Sequence, residues 1–284
     1  IENSSLSLEG GASFLNAPGA TLRFTGQSSL LGGGAGTSFL NQGVVIDEND
    51  NTFGSSSAQV NLPFVNEGTF EIRGERFGQF SSTTSFTDFL QTDGMLWLNG
   101  GNISSFTGAP LRIDGGSVIG NGNLNVNIEN RGRIAPGDVG EPGRLVFGTD
   151  LSLFDGSELE FEIGGKAPGL EFDMIDAYQI FLDGELSVRF IHGFENAIQP
   201  GDVFEIATSL RSLQGVLDNV VSGARLLTSD GLGSFAAFYG STSPFDPNRI
   251  VLTDFRAVPE PAAGALFVVA VLGICARRRV AHNR

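Results

Sequence analysis

The triplet Phe14-Leu15-Asn16 recurs at a spacing of 25 residues as Phe39-Leu40-Asn41, Phe64-Val65-Asn66 and Phe89-Leu90-Gln91. A glycine follows each triplet, and then comes a short run in which apolar and polar residues alternate, as in half-buried β-strands. A fixed period of this kind is the signature of a repeat architecture. Such a unit cannot bury its own apolar face, so neighbouring units must stack. The sequence therefore predicts an all-β fold, a right-handed parallel β-helix (solenoid) with coils of about 25 residues over residues 1–135.

Stacking also predicts what the repeated side chains do. Strands of successive coils lie about 4.8 Å apart, so identical positions in the period come to lie above one another. We expect the four phenylalanines to form an interior column, and Asn16, Asn41, Asn66 and Gln91 to form a ladder of amides at a turn. This is a structural role for all eight residues.

Residues 136–255 carry a different pattern. Between residues 99 and 135 the register drifts, and Ile128-Glu129-Asn130 repeats the opening Ile1-Glu2-Asn3, which suggests coils before Ile1. Later segments alternate around Leu159 and Leu186 and are separated by Asp-Gly turns. They read as strands able to pair antiparallel, so we expect a β-rich cap that either finishes the helix or forms a small sandwich.

The last segment, residues 256–284, has three parts. Val258-Pro259-Glu260-Pro261 precedes the uncharged run Ala262–Ala276, and Arg277, Arg278 and Arg279 follow it. Fifteen residues span roughly 22 Å as a helix, less than the roughly 30 Å hydrocarbon core of a bilayer. We expect a marginal transmembrane helix whose arginines keep that end cytoplasmic and place the body outside the inner membrane. The alternative is a buried core helix.

These motifs resemble two known kinds of sequence. The order of Pro-Glu-Pro, apolar run and arginine cluster resembles the PEP-CTERM sorting tail of exported Gram-negative proteins. Arg133-Ile134-Ala135-Pro136-Gly137, with Pro142-Gly143 after it, resembles the late passenger region of autotransporter-like proteins. The first resemblance implies export, membrane retention and cleavage near Pro259-Glu260-Pro261 by an exosortase, a membrane protease.

Composition excludes several function classes. The net charge is −15, and the part after Arg256 contributes four arginines and one glutamate, which leaves −18 on the body. Nucleic acid is an improbable partner because phosphate binding needs a basic face. The single cysteine, Cys275, lies in the apolar run, so neither an intramolecular disulfide nor a cysteine metal site is expected.

Candidate chemistry is sparse. His192, the one histidine of the body, is expected in a loop after a strand. The run Asp47-Glu48-Asn49-Asp50-Asn51 departs from the EF-hand pattern because Ala58 stands at the bidentate position. It is read as a solvated acidic turn. Weak Ca²⁺ binding by Asp47, Asn49 and Asp50 is the minority reading, and no other cofactor is expected.

An enzymatic alternative rests on two carboxylates. Glu67 and Asp93 both precede the turn glycine of successive coils, so they could lie one strand spacing apart, near the roughly 5 Å that retaining glycosidases use. Trp97 is the nearest aromatic residue that could line a sugar subsite. This reading gives a carbohydrate-active β-helix enzyme, either a polysaccharide lyase or a glycosidase.

The favoured expectation is a structural or adhesin-like protein without catalysis. It would be anchored in the inner membrane by its C-terminal helix, then processed and retained at the cell envelope or in the extracellular matrix. The expected partners are the exosortase-type protease, the membrane and extracellular polysaccharide.

Overall fold

The computed structural model describes residues 1–48, 57–74 and 83–258, and the regular secondary structure of these residues is almost entirely β-strand. The strands are β1 Ser5–Glu9, β2 Ser13–Asn16, β3 Thr21–Thr25, β4 Ser28–Gly33, β5 Ser38–Asn41, β6 Val44–Glu48, β7 Ser57–Asn66, β8 Thr69–Arg73, β9 Thr83–Gln91, β10 Met95–Ser105, β11 Leu111–Ile113, β12 Ser117–Asn125, β13 Ile128–Asn130, β14 Arg133–Pro136, β15 Arg144–Leu153, β16 Glu158–Ile163, β17 Met174–Leu182, β18 Glu185–Phe190, β19 Phe204–Gly215, β20 Arg225–Leu227, β21 Gly233–Phe238 and β22 Arg249–Ala257. Two single 3-10 turns, Phe194–Asn196 and Gly240–Thr242, interrupt them.

The strands wind into a β-solenoid of about seven turns with three faces. Face 1 begins with β1 and β4, face 2 with β2 and β5, and face 3 with β3, β6 and β8. Longer strands bend at a corner and serve two faces. In β7, for example, residues up to Asn61 pair on face 1 and Phe64–Asn66 pair on face 2.

The predicted register is confirmed over the first coils. Phe14 pairs with Phe39, Phe39 with Phe64, and Phe64 with Phe89 along face 2. The column then continues with aliphatic residues, because Leu111 pairs with Phe89 and also with Ile128. The coils shorten there, since only the strands must stay in register while the corners between them lose residues.

The predicted interior is also confirmed. Ring centroids of Phe14 and Phe39 lie 5.1 Å apart, those of Phe39 and Phe64 4.7 Å, and those of Phe64 and Phe89 5.3 Å. Phe39, Phe64 and Phe89 are at most 2 % exposed, whereas Phe14 is only partly buried. These edge-on and tilted contacts are favourable for aromatic rings and extend the apolar core through the coils.

The amide ladder lies beside this column and is fully buried at its centre. Asn16 Nδ2 donates to Asn41 Oδ1 at 2.8 Å, Asn41 Nδ2 donates to Asn66 Oδ1 at 2.8 Å, and Asn66 Nδ2 donates to Gln91 Oε1 at 3.1 Å. Each amide also donates to a backbone carbonyl of the next coil, as Asn41 does to Thr69 O at 3.1 Å. The ladder therefore satisfies polar groups at a corner where backbone pairing is interrupted.

Parallel pairing extends well beyond residue 135. β16 and β18, which read as antiparallel-capable in the sequence, pair in parallel, and so do β17 and β19. Alternation reports which side of a strand is buried and carries no information on strand direction, which is why the sequence misled here. Between strands of the described part of the chain, antiparallel pairing begins with β19 and β22, followed by β21 with β22 and β20 with β21.

The antiparallel strands form a cap with its own aromatic cluster. Phe235 of β21 contacts Phe190, Phe204 and Phe255, with centroid distances of 5.1 to 5.9 Å. The Tyr239 hydroxyl donates to Val220 O at 2.6 Å in the same buried region. The cap thus covers the last parallel coil with apolar side chains.

The described part of the chain contains no helix of the length and hydrophobicity needed to cross a membrane. The predicted transmembrane run, residues 262–276, lies outside the described residues.

Candidate functional site

The predicted carboxylate pair lies on an exposed corner after face 2. Pro18, Gln42, Glu67, Thr92 and Asp93 line a shallow groove there. Gln42 Nε2 donates to Glu67 Oε2 at 2.9 Å, and Asp93 Oδ1 accepts the Gly94 backbone N–H at 2.7 Å. Both carboxylates therefore have the partners of ordinary turns.

Thr92, and not Asp93, is the residue equivalent to Glu67 in the next coil. Glu67 N donates to Asn41 O at 2.8 Å, and Thr92 N donates to Asn66 O at 3.1 Å in the same way. The turn before Gly94 has one residue more than the turn before Gly68. The residue directly before the glycine is therefore not the equivalent one in the two coils. Glu67 and Asp93 share the groove, and both side chains are exposed there.

The reading of Asp47 as part of a solvated turn is wrong. Asp47 points into the solenoid, paired in register between Phe24 and Ile72, and it is 0 % exposed. Its Oδ2 accepts the Thr84 hydroxyl at 2.6 Å, whereas Oδ1 has no hydrogen-bond partner among the described residues. Alternation in β6 places Val45 and Asp47 on the same side, and this signal was available in the sequence.

Burial raises the pKa of Asp47 to about 6, against the lowering effect of the Thr84 hydrogen bond, and the charge of Glu48 raises it further. The other two suggested Ca²⁺ ligands, Asn49 and Asp50, lie outside the described residues. Among the residues that are described, no group of three histidine, cysteine, aspartate or glutamate side chains could hold a metal ion.

The outer side of face 3 carries ion pairs that the sequence analysis did not predict. Glu48 accepts from Arg23 at 2.8 Å and from Arg73 at 2.8 Å, so one carboxylate bridges three successive coils. Arg73 also pairs with the buried Glu71 at 2.7 Å. Arg23, Glu48 and Arg73 follow one another at intervals of 25 residues, so the sequence does carry this signal, as opposite charges at the repeat period.

A second polar cluster on face 3 holds the loop between β14 and β15. Asp173 Oδ1 accepts the Gly143 N–H at 2.8 Å, and Oδ2 accepts the Glu162 N–H at 2.7 Å. Glu162 Oε2 accepts the Gly140 N–H at 2.8 Å and its other oxygen contacts Arg189. Burial raises the pKa of Asp173 to about 8, although the two backbone donors favour its ionised form.

The Pro-Gly segment that resembles an autotransporter passenger forms this loop. Gly120 and Gly137 exchange two backbone hydrogen bonds of 2.8 Å, which place the loop across face 3. Gly137 has a φ of +80°, and a Cβ there would meet Glu141 O at 2.2 Å, so glycine is required. The segment therefore makes a fixed crossing over the sheet.

The remaining candidate residues are His192 and those of the C-terminal tail. His192 is exposed in the turn after β18, as expected. Val258 follows β22, is 49 % exposed and donates its N–H to Leu232 O at 2.9 Å. Pro259, Glu260 and Pro261 and the cluster Arg277, Arg278 and Arg279 lie outside the described residues.

Neither a protein-family model nor a curated protein matches the chain.

Proposed function

We propose that the protein is an exported structural or adhesin-like component of the cell surface or extracellular matrix, whose solenoid acts as a stiff spacer. The observation that supports this role best is the unbroken interior of the coils, in which the phenylalanine column and the amide ladder both run from coil to coil. Stiffness follows because each coil is bonded to the next by backbone, amide and aromatic contacts at once.

The surface fits an exposed location. A body with a net charge of −18 repels copies of itself, which limits edge-to-edge association of a protein built from strands. Extracellular polysaccharide is the proposed contact partner. The catalytic alternative has weaker support, because Glu67 and Asp93 lie open to solvent in an ordinary turn.

Delivery is the second part of the proposal. The tail of residues 256–284 would span the inner membrane as a helix and be processed by an exosortase-type protease at Val258-Pro259-Glu260-Pro261, with Arg277–Arg279 setting the topology. The proposal for delivery rests on the residues of the tail and on the resemblance described above. We also propose that the coils wind in the right-handed sense.

The test compares wild type with Glu260→Ala in a host that carries an exosortase system, by intact mass and cell fractionation. We expect wild type to lose the segment after the Pro-Glu-Pro motif and to reach the envelope or medium, and we expect the variant to stay full length in the inner membrane. Glu9→Ala, at the exposed end of β1, is the control and should be processed normally. A full-length mass for wild type and variant alike would refute the sorting proposal.

A further inference from the structure

The end of the antiparallel cap carries three exposed apolar side chains on its outer side, which we call the cap patch. Leu227 lies on β20 and is 68 % exposed, Leu232 lies in the turn before β21 and is 43 % exposed, and Val258 follows β22 and is 49 % exposed. Val258 N donates to Leu232 O at 2.9 Å, so these two residues are neighbours. Leu227 is on the same side, since it pairs with Ser234, two residues after Leu232. Phe235, next to Ser234, points to the other side, into the aromatic cluster of the cap.

The turn that carries Leu232 is fixed to the last parallel coil. Thr228 N donates to Gly233 O at 2.9 Å, and Asp230 Oδ1 accepts the Leu232 N–H at 3.0 Å. The other carboxylate oxygen of Asp230 accepts the Phe190 N–H of β18 at 2.7 Å. Because the turn is bonded in this way on both sides, Leu232 is held outward and does not fold back onto the core.

The charges beside the cap patch balance one another. Arg225 and Arg256 both pair with Asp254, at 2.9 Å and 2.8 Å. Together with Asp230 they make two cations and two anions, whereas the body as a whole carries −18. Anionic lipid headgroups repel a surface with a net negative charge. The cap patch is therefore a part of this acidic protein that can approach a bilayer without such repulsion.

The chain that follows the cap patch indicates what covers it. Only Pro259, Glu260 and Pro261 separate Val258 from the uncharged run that begins at Ala262. Four steps of a fully extended chain reach at most about 14 Å. The uncharged run spans roughly 22 Å as a helix, about 8 Å less than the hydrocarbon core, and this shortfall would draw the preceding residues toward the lipid. A run that crosses the bilayer would thus hold Val258 at the lipid headgroups, whose layer is roughly 5 to 7 Å thick on each side.

We propose that the cap patch docks on the outer surface of the inner membrane, with Leu227, Leu232 and Val258 among the lipid headgroups, as long as the tail is attached. The inference rests on the membrane-spanning tail proposed above, and it adds which part of the body faces the bilayer. Docking would hold Pro259–Pro261 at the lipid surface, within reach of a membrane protease. Three apolar side chains alone bind a bilayer weakly, because stable anchoring takes a second signal, so cleavage of the tail would release the cap from the lipid.

Tryptophan emission in lipid vesicles tests the docking. Trp97 is the single tryptophan of the chain, so Trp97→Phe gives a silent background in which Leu232→Trp reports on the cap patch. The full-length protein would be reconstituted in phosphatidylcholine vesicles with and without bromine on the acyl chains near the headgroup, since bromine quenches nearby tryptophan. We expect brominated lipid to remove about half or more of the emission of Leu232→Trp. Leu15→Trp, on β2 and 53 % exposed, is the matched control and should keep its emission.

A second substitution connects the quenching to the cap patch. Leu227→Asp changes a mostly exposed side chain, so folding is not at risk. Because a carboxylate resists transfer out of water, this change should reduce the quenching of Leu232→Trp by about half or more. Phe106→Asp, at an exposed position outside the cap, is the control and should leave the quenching unchanged.

Extraction of the vesicles with alkaline carbonate separates this proposal from the one on which it rests. If the chain resists extraction but Leu232→Trp is quenched no more than Leu15→Trp, docking of the cap patch is refuted and the membrane-spanning tail stands. Quenching that Leu227→Asp leaves unchanged would refute the docking as well. If carbonate removes the chain from the vesicles, the tail does not span the bilayer and both proposals fall.

Discussion

At the scale of single residues, each asparagine in the middle of the ladder makes hydrogen bonds in two directions along the solenoid. Asn41 accepts from Asn16 through its oxygen and donates through its nitrogen to Asn66 Oδ1 and Thr69 O. A buried amide of this kind has no water to replace a lost partner, so each lost bond leaves an unsatisfied group. The ladder is therefore more sensitive to substitution than its small side chains suggest.

Asn41→Ala should lower the free energy of unfolding by about 3 kcal/mol, because groups on Asn16, Asn66 and Thr69 lose their partners together. Asn125→Ala is the control, since Asn125 is exposed at the end of β12. Urea unfolding of wild type and of the two variants would measure both changes in the free energy of unfolding. Equal, small effects would contradict a structural role for the ladder.

Phe64→Ala should cost about 3 to 5 kcal/mol, as large-to-small changes in a packed core do. Phe64 contacts Phe39, Phe70, Phe86 and Phe89 and is 2 % exposed, whereas Phe106 is 51 % exposed. Phe106→Ala is thus the matched control and should cost about 1 kcal/mol or less. If Phe64→Ala lowered the free energy of unfolding by less than about 1 kcal/mol, the placement of Phe64 in the interior would be contradicted.

Asp47 makes stability depend on pH in a defined direction. Its pKa rises from the ordinary 3.8 to about 6 in the folded state. An acid of this kind stabilises the fold while it is protonated, and this contribution is lost as the pH rises from about 4 through 6.

Asp47→Asn should therefore be more stable than wild type at pH 8, by roughly 3 kcal/mol, and the difference should shrink to near zero at pH 4. Thermal unfolding of both proteins between these values measures it. Asp93→Asn, at an exposed position, should follow the wild-type curve. A difference between wild type and Asp47→Asn that does not change with pH would show that Asp47 is not buried as described.

At the scale of elements, the loop of residues 136–143 depends on a few side chains of neighbouring strands. Asp173 alone accepts from Gly143 and from Glu162. Asp173→Ala should therefore speed amide hydrogen exchange at Gly143 and Glu162 by about tenfold or more, while the amides of β8 keep their protection. Asp155→Ala, in an exposed turn, should leave exchange in the loop as it is in wild type. Unchanged exchange at Gly143 in the Asp173 variant would contradict this anchoring.

The sequence predicted the elements whose side chains repeat. Phe14, Phe39, Phe64 and Phe89 and the amides beside them recur at one period because each occupies the same place in its coil. Strand direction was not predictable for β16 and β18, since alternation is the same in parallel and antiparallel strands. The extra residue at Thr92 was missed for a related reason, because the turn glycine is a marker of position only when the turns have equal length.

The candidate site was less predictable than the fold. A small cleft under the loop of residues 136–143 joins Met95, Ala135 and Arg189, which lie in three different coils of unequal length. No period connects these residues, so their proximity follows only from the full register of face 3. Asp47, in contrast, could have been assigned to the interior from the alternation in β6.

At the scale of the whole molecule, the parallel coils are stacked units. The antiparallel cap of β20, β21 and β22 follows the last of them. Stability of such an array is a sum over units and their interfaces, so the loss of one unit should be tolerated if the next interface can reform. The structural role proposed for the solenoid depends on this tolerance of a lost unit.

Removal of residues 14–38 tests it most directly, because Ser13 and Phe39 then join where Ser13 pairs with Ser38 and Phe14 with Phe39. β1 is then free to pair with β7 in place of β4. Removal of residues 96–120 is the control, since it deletes the same length but joins Met95 to Asn121, although Met95 pairs with Ser117, so one coil loses its strand on face 3. Thermal unfolding followed by circular dichroism should show a cooperative transition within about 10 °C of wild type for the first deletion and a larger loss of Tm for the second. Equal damage from both deletions would contradict an in-register solenoid and the structural role proposed for it.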